Sequence, residues 1–285
     1  MYKSLRVFLG VLMEEFEAEI PIDCLCCTSS SLVAGGYLFN EGVRSGKIYF
    51  YGLEGMNIES ELATSGTLDI KINEQTLYSA NSSDVSAVHL ASGSVVRMDT
   101  AYVNTCVEIC DSNVFASDVE GGVGVYDNGM RFLKAIKVSE APIWVLKASG
   151  KELICGSEDG MLRFIDTRTF SERHRMKRAS GITSMYECPE YLYVGSYDEC
   201  IEIIDKRKYE AVRKVVIGGG VWRICREGGA FYLSCMYEGL KICDDELNVV
   251  ERFPTNSIAY GLTVKDSKVF FTSFYDRKIY KLERP

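Results

Sequence analysis

The chain has 285 residues, 47% of them hydrophobic and 25% charged, and its 32 basic and 40 acidic side chains give a net charge of -8. This length suits one large β-barrel or propeller domain, and the composition is that of an ordinary globular protein. The negative charge repels phosphate backbones and argues against nucleic-acid binding.

The cysteines and the N-terminal segment bear on cellular location. Eleven cysteines are scattered without framework spacing, and their odd number argues against a complete set of disulfides. The apolar run at residues 7–13 is far shorter than the ~18 residues of a membrane span, and Glu14 and Glu15 follow where a signal cleavage site would lie. We therefore expect a cytoplasmic protein that is neither secreted nor membrane-bound.

Taken in chain order, one unit of three apolar runs separated by turns recurs seven times. Its clearest copies, residues 153–166 and 192–205, align without a gap. A landmark position recurs 37 to 45 residues apart, at Gly36, Asn81, Asp118, Ser157, Ser196, Met236 and Phe274. This is the period of a four-stranded propeller blade.

We therefore predict an all-β, seven-bladed β-propeller of the WD-repeat type, forming a single domain over residues 1–285. Period-2 alternation in runs such as residues 161–166 indicates strands, and no segment has a helical period. The last unit supplies only three strands, so residues 5–12 are predicted to add the fourth and to close the ring. The predicted blades are residues 16–55, 62–94, 102–130, 141–170, 180–212, 219–250 and 257–285.

The WD dipeptide that commonly ends the third strand of a blade survives only as its aspartate. That aspartate is present at Asp127, Asp166, Asp205 and Asp244. The Gly-His pair that often opens a blade is also missing, so the buried His-centred network of regular WD blades cannot form. We predict that apolar packing holds the blades together instead.

Residues for metal binding or for a conventional nucleophilic triad are not evident. His89 and His174 fall in different blades without metal-ligand spacing, and Cys24, Cys26 and Cys27 open a predicted strand, where packing is the simpler interpretation. No phosphate-binding loop and no GxSxG motif is present. We predict no metal and no cofactor.

Clusters of rings and carboxylates fall in loops that a propeller places together on one face, all in predicted blades five to seven. The substrate-binding candidates are Tyr197, Trp222, Tyr237, Tyr260, Tyr275, Gly219 and Gly220. The catalytic candidates are Asp198, Asp276 and Arg223. Each carboxylate has the alternative role of shaping a turn, and Trp222 that of packing between blades. We expect Trp222 and Tyr260 to face the mouth of the central channel.

These same residues resemble a known family, the WD-repeat diphthine methyl esterases of diphthamide biosynthesis. The resemblance is specific over residues 153–282, where the matching strings are GSYDE (195–199), GGVWRI (219–224), CMYEGLKI (235–242), SIAYG (257–261) and TSFYD (272–276). Relatives often carry histidine where this chain has Arg178 and Tyr237.

The resemblance implies hydrolysis of the methyl ester of methylated diphthine, a modified histidine of translation elongation factor 2, by a monomer without metal or cofactor. The trimethylammonium group of diphthine would be attracted to ring faces by ~0.5–2 kcal/mol per contact. For the ester, Asp198 or Asp276 would deprotonate a water, while Arg223 or the loop amides of residues 218–220 would stabilise the oxyanion. We expect the active carboxylate to be desolvated by a neighbouring ring. The alternative is a non-catalytic WD scaffold that binds a protein partner through the same face.

Overall fold

The structure, a computed structural model, describes residues 3–8 and 11–284, with side chains described from Met13 onward. Those residues form 29 strands in seven antiparallel sheets, and no helix occurs among them. The chain is therefore an all-β, seven-bladed β-propeller, as its period predicted.

Blades one to six are antiparallel meanders whose first and fourth strands lie at opposite edges of the sheet. Blade one contains β3 (Ile22–Cys27), β4 (Ser31–Asn40), β5 (Val43–Gly52) and β6 (Ile58–Thr64). Blade two contains β7 (Thr67–Asn73), β8 (Thr76–Asn81), β9 (Asp84–His89) and β10 (Val95–Asp99). Blade three contains β11 (Asn104–Cys110), β12 (Asn113–Asp118), β13 (Gly122–Asp127) and β14 (Phe132–Lys137).

The later blades repeat this pattern. Blade four contains β15 (Ile143–Ser149), β16 (Glu152–Ser157), β17 (Met161–Asp166) and β18 (Glu172–Lys177). Blade five contains β19 (Ile182–Glu187), β20 (Tyr191–Ser196), β21 (Cys200–Asp205) and β22 (Glu210–Val216). Blade six contains β23 (Val221–Glu227), β24 (Ala230–Cys235), β25 (Gly239–Cys243) and β26 (Val249–Phe253). Blade seven contains β27 (Leu262–Lys265), β28 (Lys268–Ser273), β29 (Lys278–Glu283) and β2 (Val11–Glu17), with β1 (Lys3–Phe8) outside β2.

The strands group into two compact units. Residues 68–214 form one unit, which holds nearly all of blades two to five, and the described residues on either side of that range form the other, with blades six, seven and one. Apolar cores lie between neighbouring blades of each unit. Leu32 and Phe270 are buried together between blades one and seven, and Phe164 and Ile182 between blades four and five.

The outer strands extend beyond the predicted blade ends. Blades predicted to end at residues 55, 94 and 130 end at Thr64, Asp99 and Lys137. Strands β6, β14 and β22 are exposed over most of their length. A strand with little buried surface has little hydrophobic alternation, and alternation is the signal on which the predicted boundaries rest.

The N-terminal segment closes blade seven, as predicted, but with a later strand. β2 pairs with β29 from Met13 opposite Leu282 to Glu17 opposite Lys278. The predicted residues 5–12 instead span the end of β1 and the start of β2, and positions 9 and 10 within them lie outside the described residues.

Ion pairs accompany the pairing of β2 with β29. Glu15 lies 2.7 Å from the ammonium of Lys278, and Glu14 lies 3.9 Å from that of Lys281. A carboxylate with a cationic partner is tolerated where an unpaired one would not be. Phe16 of the same strand is buried in the core between blades one and seven.

The aspartate that remains of the WD motif shapes the turn between the third and fourth strands. The Asp166 carboxylate accepts hydrogen bonds from two backbone amides of its turn, chiefly that of Thr169, which hold its pKa below the usual range. Phe170 then adopts a positive φ of 57° and packs against the core of blades three and four. Tyr209 after Asp205 repeats this arrangement with a φ of 54°. Ring burial offsets the strain of a bulky residue in this conformation.

Apolar cores lie between neighbouring blades, as predicted where the histidine network is missing, and buried charged side chains add hydrogen bonds within blade four and to the loop before blade six. Arg163, the third residue of β17, is 8% exposed and donates to Ser157 at 2.7 Å and to Asp159 at 3.0 Å. Lys241, the third residue of β25, is 1% exposed and donates to the carbonyl of Ile217 at 2.6 Å. A charged side chain in the third strand therefore bonds a neighbouring turn or loop, as the histidine network does in regular blades.

Candidate functional site

Turns and loops of blades six and seven come together as the topology predicts. The amide of Met236, after β24, donates to the carbonyl of Gly220, before β23, at 2.8 Å. The amide of Phe274, after β28, donates to the carbonyl of Ile258, before β27, also at 2.8 Å. These bonds fix the turn after each second strand against the loop before each first strand, on one face of the unit.

Trp222 occupies a β-bulge near the start of β23. The pairing with β24 shifts register between Val221 and Arg223, so the tryptophan is the extra residue. Trp144 occupies the same position in β15 of blade four. A bulge re-aims the side chain that it carries, and both tryptophans of the chain are placed in this way.

The aromatic rings of this unit form one continuous chain. Trp222 and Tyr260 are half-buried, and their ring centroids lie 4.8 Å apart across blades six and seven. Tyr260 contacts Phe274 edge to face at 5.3 Å, and Phe274 contacts both Tyr275 at 5.2 Å and Tyr37 of blade one at 5.3 Å. Trp222 and Tyr260 therefore contact each other, and Phe274 connects them to the ring of Tyr275. That both rings face the mouth of the central channel stays a prediction.

A cleft of about 570 Å³ opens on the same face. Met236 and Tyr237 line it from the turn after β24, residues 255–258 from the loop before β27, and Tyr275 and Asp276 from the turn after β28. The rings of Tyr237 and Tyr275 are 71% and 70% exposed. The cleft is therefore flanked by two exposed tyrosines and has Asp276 in its lining.

Asp276 is unusual among the candidate residues. Both of its carboxylate oxygens are shielded from solvent, and neither has a hydrogen-bond partner among the described residues. A buried carboxylate without partners is energetically unfavourable, so native proteins rarely keep one without a functional reason. Of the two candidate bases, Asp276 has both carboxylate oxygens shielded, and its role as the base stays a prediction.

Asp198, the other candidate base, is held in a different environment, on blade five of the other unit. Its carboxylate accepts hydrogen bonds from Ser196, from the amide of Cys200 at 3.2 Å and from the ammonium of Lys214 at 2.8 Å. Burial alone would raise the pKa of Asp198, but the hydrogen bonds from Lys214 and Ser196 lower it by more, so the net shift of the pKa is downward. The expected rise in pKa is therefore wrong for Asp198, whose carboxylate forms an ion pair with Lys214. The neighbouring Tyr197 is half-buried, and its ring lies against Gly181.

The glycine loop before β23 is shaped by backbone conformation and by Lys241. Gly218, Gly219 and Gly220 have φ values of +93°, +78° and +70°, which favour glycine. A Cβ on Gly219 would lie 2.9 Å from that of Glu238. Lys241 donates to the carbonyls of Ile217 and Gly218 at 2.6 and 3.3 Å and lies 2.6 Å from the Glu238 carboxylate. The ammonium group of Lys241 therefore fixes the start of the glycine loop through two backbone carbonyls.

Several residues of this region escaped the sequence analysis. Phe274 aligned the repeats and belongs to the string TSFYD but was not named as a site residue, yet it joins the aromatic chain, and Tyr37 reaches that chain from the opposite end of the sequence. The role of Lys241 could have been predicted, since a lysine in the middle of an apolar strand requires a buried acceptor. Arg223 lies half-buried on β23, opposite Ser234.

No three histidine, cysteine or carboxylate side chains in the described part of the chain are grouped so that they could share a metal ion. Residues 3–8 and 11–284 also include no helix with the length and apolar character needed to cross a membrane.

No protein-family model and no curated protein matches the chain. Its fold is similar to that in a crystal structure of the computationally designed Ika8 protein, with a TM-score of 0.69 and 12% sequence identity over 94% of this chain and 98% of that one. At this identity the likeness shows the fold alone.

Proposed function

We propose that the chain hydrolyses the methyl ester of methylated diphthine on translation elongation factor 2, releasing methanol and leaving the carboxylate of diphthine. The observation that carries the proposal is the shielded, unpartnered carboxylate of Asp276 in a cleft flanked by the open rings of Tyr237 and Tyr275. The family resemblance of the sequence strings that contain these residues supports the same assignment.

The trimethylammonium group and the ester of the substrate each have a matching group at the cleft. A trimethylammonium group is attracted to the faces of tyrosine rings, which Tyr237 and Tyr275 offer. The ester carbon is attacked by a water whose proton passes to the Asp276 carboxylate, and that proton then leaves with the methoxide as methanol. Arg223 and the amides of Gly219 and Gly220 are the proposed donors to the oxyanion.

Access to the base requires a small movement. Since the Asp276 oxygens are shielded in this conformation, a neighbouring group must turn aside before a water can reach them. The exposed ring of Tyr275, next in the chain, can change rotamer on the nanosecond timescale. In this proposal, substrate contact turns the Tyr275 ring aside and gives the attacking water access to the Asp276 carboxylate.

The test is methanol release from methylated elongation factor 2, with chelator present, by the wild type and two matched variants. Asp276→Asn should abolish turnover while substrate affinity stays nearly intact, because asparagine keeps the shape but cannot take a proton. Asp198→Asn is the control and should retain activity. If Asp276→Asn raises KM with kcat unchanged, the carboxylate is a counter-ion for the substrate cation and not the base. If the wild type releases no methanol, the scaffold function replaces the esterase.

A further inference from the structure

One hairpin of blade one is longer than the sheet that carries it. β3 pairs with β4 only as far as Gly36, and β6 pairs with β5 only as far as Gly46. β4 and β5 nevertheless continue to pair with each other up to Asn40 opposite Val43. Four residues of strand therefore project beyond the blade, or about 13 Å at ~3.3 Å per residue.

The tip of this hairpin, residues 37–45, exposes three apolar side chains. Leu38, Phe39 and Val43 are 38%, 57% and 69% exposed. A two-stranded hairpin is marginally stable by itself in water, and an exposed apolar cluster on a soluble protein marks an interaction surface or an aggregation hazard. The extra length therefore requires a role outside the fold.

One face of the hairpin is ordered and continuous with the cleft. Arg44 lies opposite Phe39 across the two strands, and its guanidinium carbon is 4.8 Å from the ring centroid of Phe39 and 5.3 Å from that of Tyr37. Tyr37 in turn contacts Phe274, which contacts Tyr275 of the cleft. Burial of the Tyr37 hydroxyl raises its pKa, which keeps the ring neutral. The aromatic path from the hairpin to the cleft thus consists of a few contacts of about 5 Å each.

We infer that residues 37–45 form a docking arm for the protein that carries the ester, which it contacts next to the modified side chain through apolar side chains on both faces of the arm, Leu38 and Val43 on one and Phe39 on the other. This inference rests on the proposed function. A modified residue that enters the cleft brings the surface around it within reach of the arm, because both lie on the same face and along one aromatic chain. The arm therefore favours an intact folded protein over a short peptide with the same modified residue.

The experiment compares the double variant Phe39→Thr/Val43→Thr with a matched control, Val96→Thr/Val250→Thr. The control residues are 47% and 56% exposed on the outer strands of blades two and six, and threonine keeps strand propensity at all four positions. Equal melting temperatures would confirm that both variants fold. Calorimetry measures the Kd for intact methylated elongation factor 2, and methanol release measures KM for that protein and for its modified tryptic peptide.

The arm variant should weaken binding and raise KM for the intact protein by about tenfold or more, with kcat and the KM for the peptide unchanged and the control equal to wild type. An unchanged Kd, or an equal rise in KM for the peptide, overturns the docking arm. Binding that depends on the arm without any methanol release overturns the esterase and leaves the arm in place. No binding by the wild type overturns both.

Discussion

Replacing Lys241 by methionine should destabilise the protein, and the size of the effect follows from the contacts of the ammonium group. The side chain is 1% exposed, and it bonds two backbone carbonyls and one carboxylate. Methionine has a similar length but no donor, so the carbonyls of Ile217 and Gly218 lose their partner. Each buried carbonyl left unpaired costs about 1–3 kcal/mol.

Two effects reduce the sum. Glu238 is 49% exposed, so water solvates its carboxylate once the lysine is gone, and methionine no longer has a charge to desolvate. We therefore expect the free energy of unfolding to fall by about 2–4 kcal/mol. At ~2–4 °C per kcal/mol for a domain of this size, the melting temperature should fall by roughly 4–16 °C.

The assay is thermal unfolding followed by circular dichroism, with Lys268→Met as the control. Lys268 also makes an ion pair, 3.1 Å from Glu54, but Glu54 is 92% exposed, and exposed pairs contribute little. The control should therefore have the same melting temperature as the wild type. Should Lys241→Met melt within about 2 °C of the wild type, the loop before β23 finds other donors, and Lys241 does not clamp it.

Two other predictions concern the closing strand and a buried ion pair. Deletion of residues 1–8 should leave the melting temperature nearly unchanged, whereas deletion of residues 1–17 should prevent folding. The longer deletion also removes Met13 and Phe16, which are 5% and 2% exposed, and the loss of each such side chain costs about 2–5 kcal/mol. Soluble expression and melting curves measure the difference, and equal behaviour of the two truncations would contradict the observed pairing. The hydrogen bonds from Arg163 and Ser157 outweigh the effect of burial and lower the pKa of Asp159 from 3.8 to about 2. A lowered carboxyl pKa stabilises the fold above the ordinary pKa and ceases to do so as the pH falls through the lowered one. The stability advantage of wild type over Asp159→Asn in urea should thus persist at pH 6 and disappear near pH 2, and a constant difference would contradict the assignment.

The sequence alone determined the architecture. A period of about 40 residues, alternation within each unit and glycine or aspartate at the turns depend on local spacing, so the blade number and the absence of helices could be predicted. The same local signals placed the candidate rings and carboxylates in the turns after second strands and in the loops before first strands. The need for an N-terminal closing strand followed from counting the strands of the last unit.

Tertiary structure decided which of these residues act together, because partners that neutralise or shield a charge are remote in sequence. Glu14 and Glu15 belong to the closing strand only because Lys281 and Lys278 lie beside them. Asp198 and Asp276 occur in similar turns, yet Lys214 pairs with the first, while the second is shielded and has no hydrogen-bond partner among the described residues. Tyr37 joins the rings of blade seven from more than 200 positions away. Burial and charge pairing depend on packing between strands and blades, which local pattern does not specify.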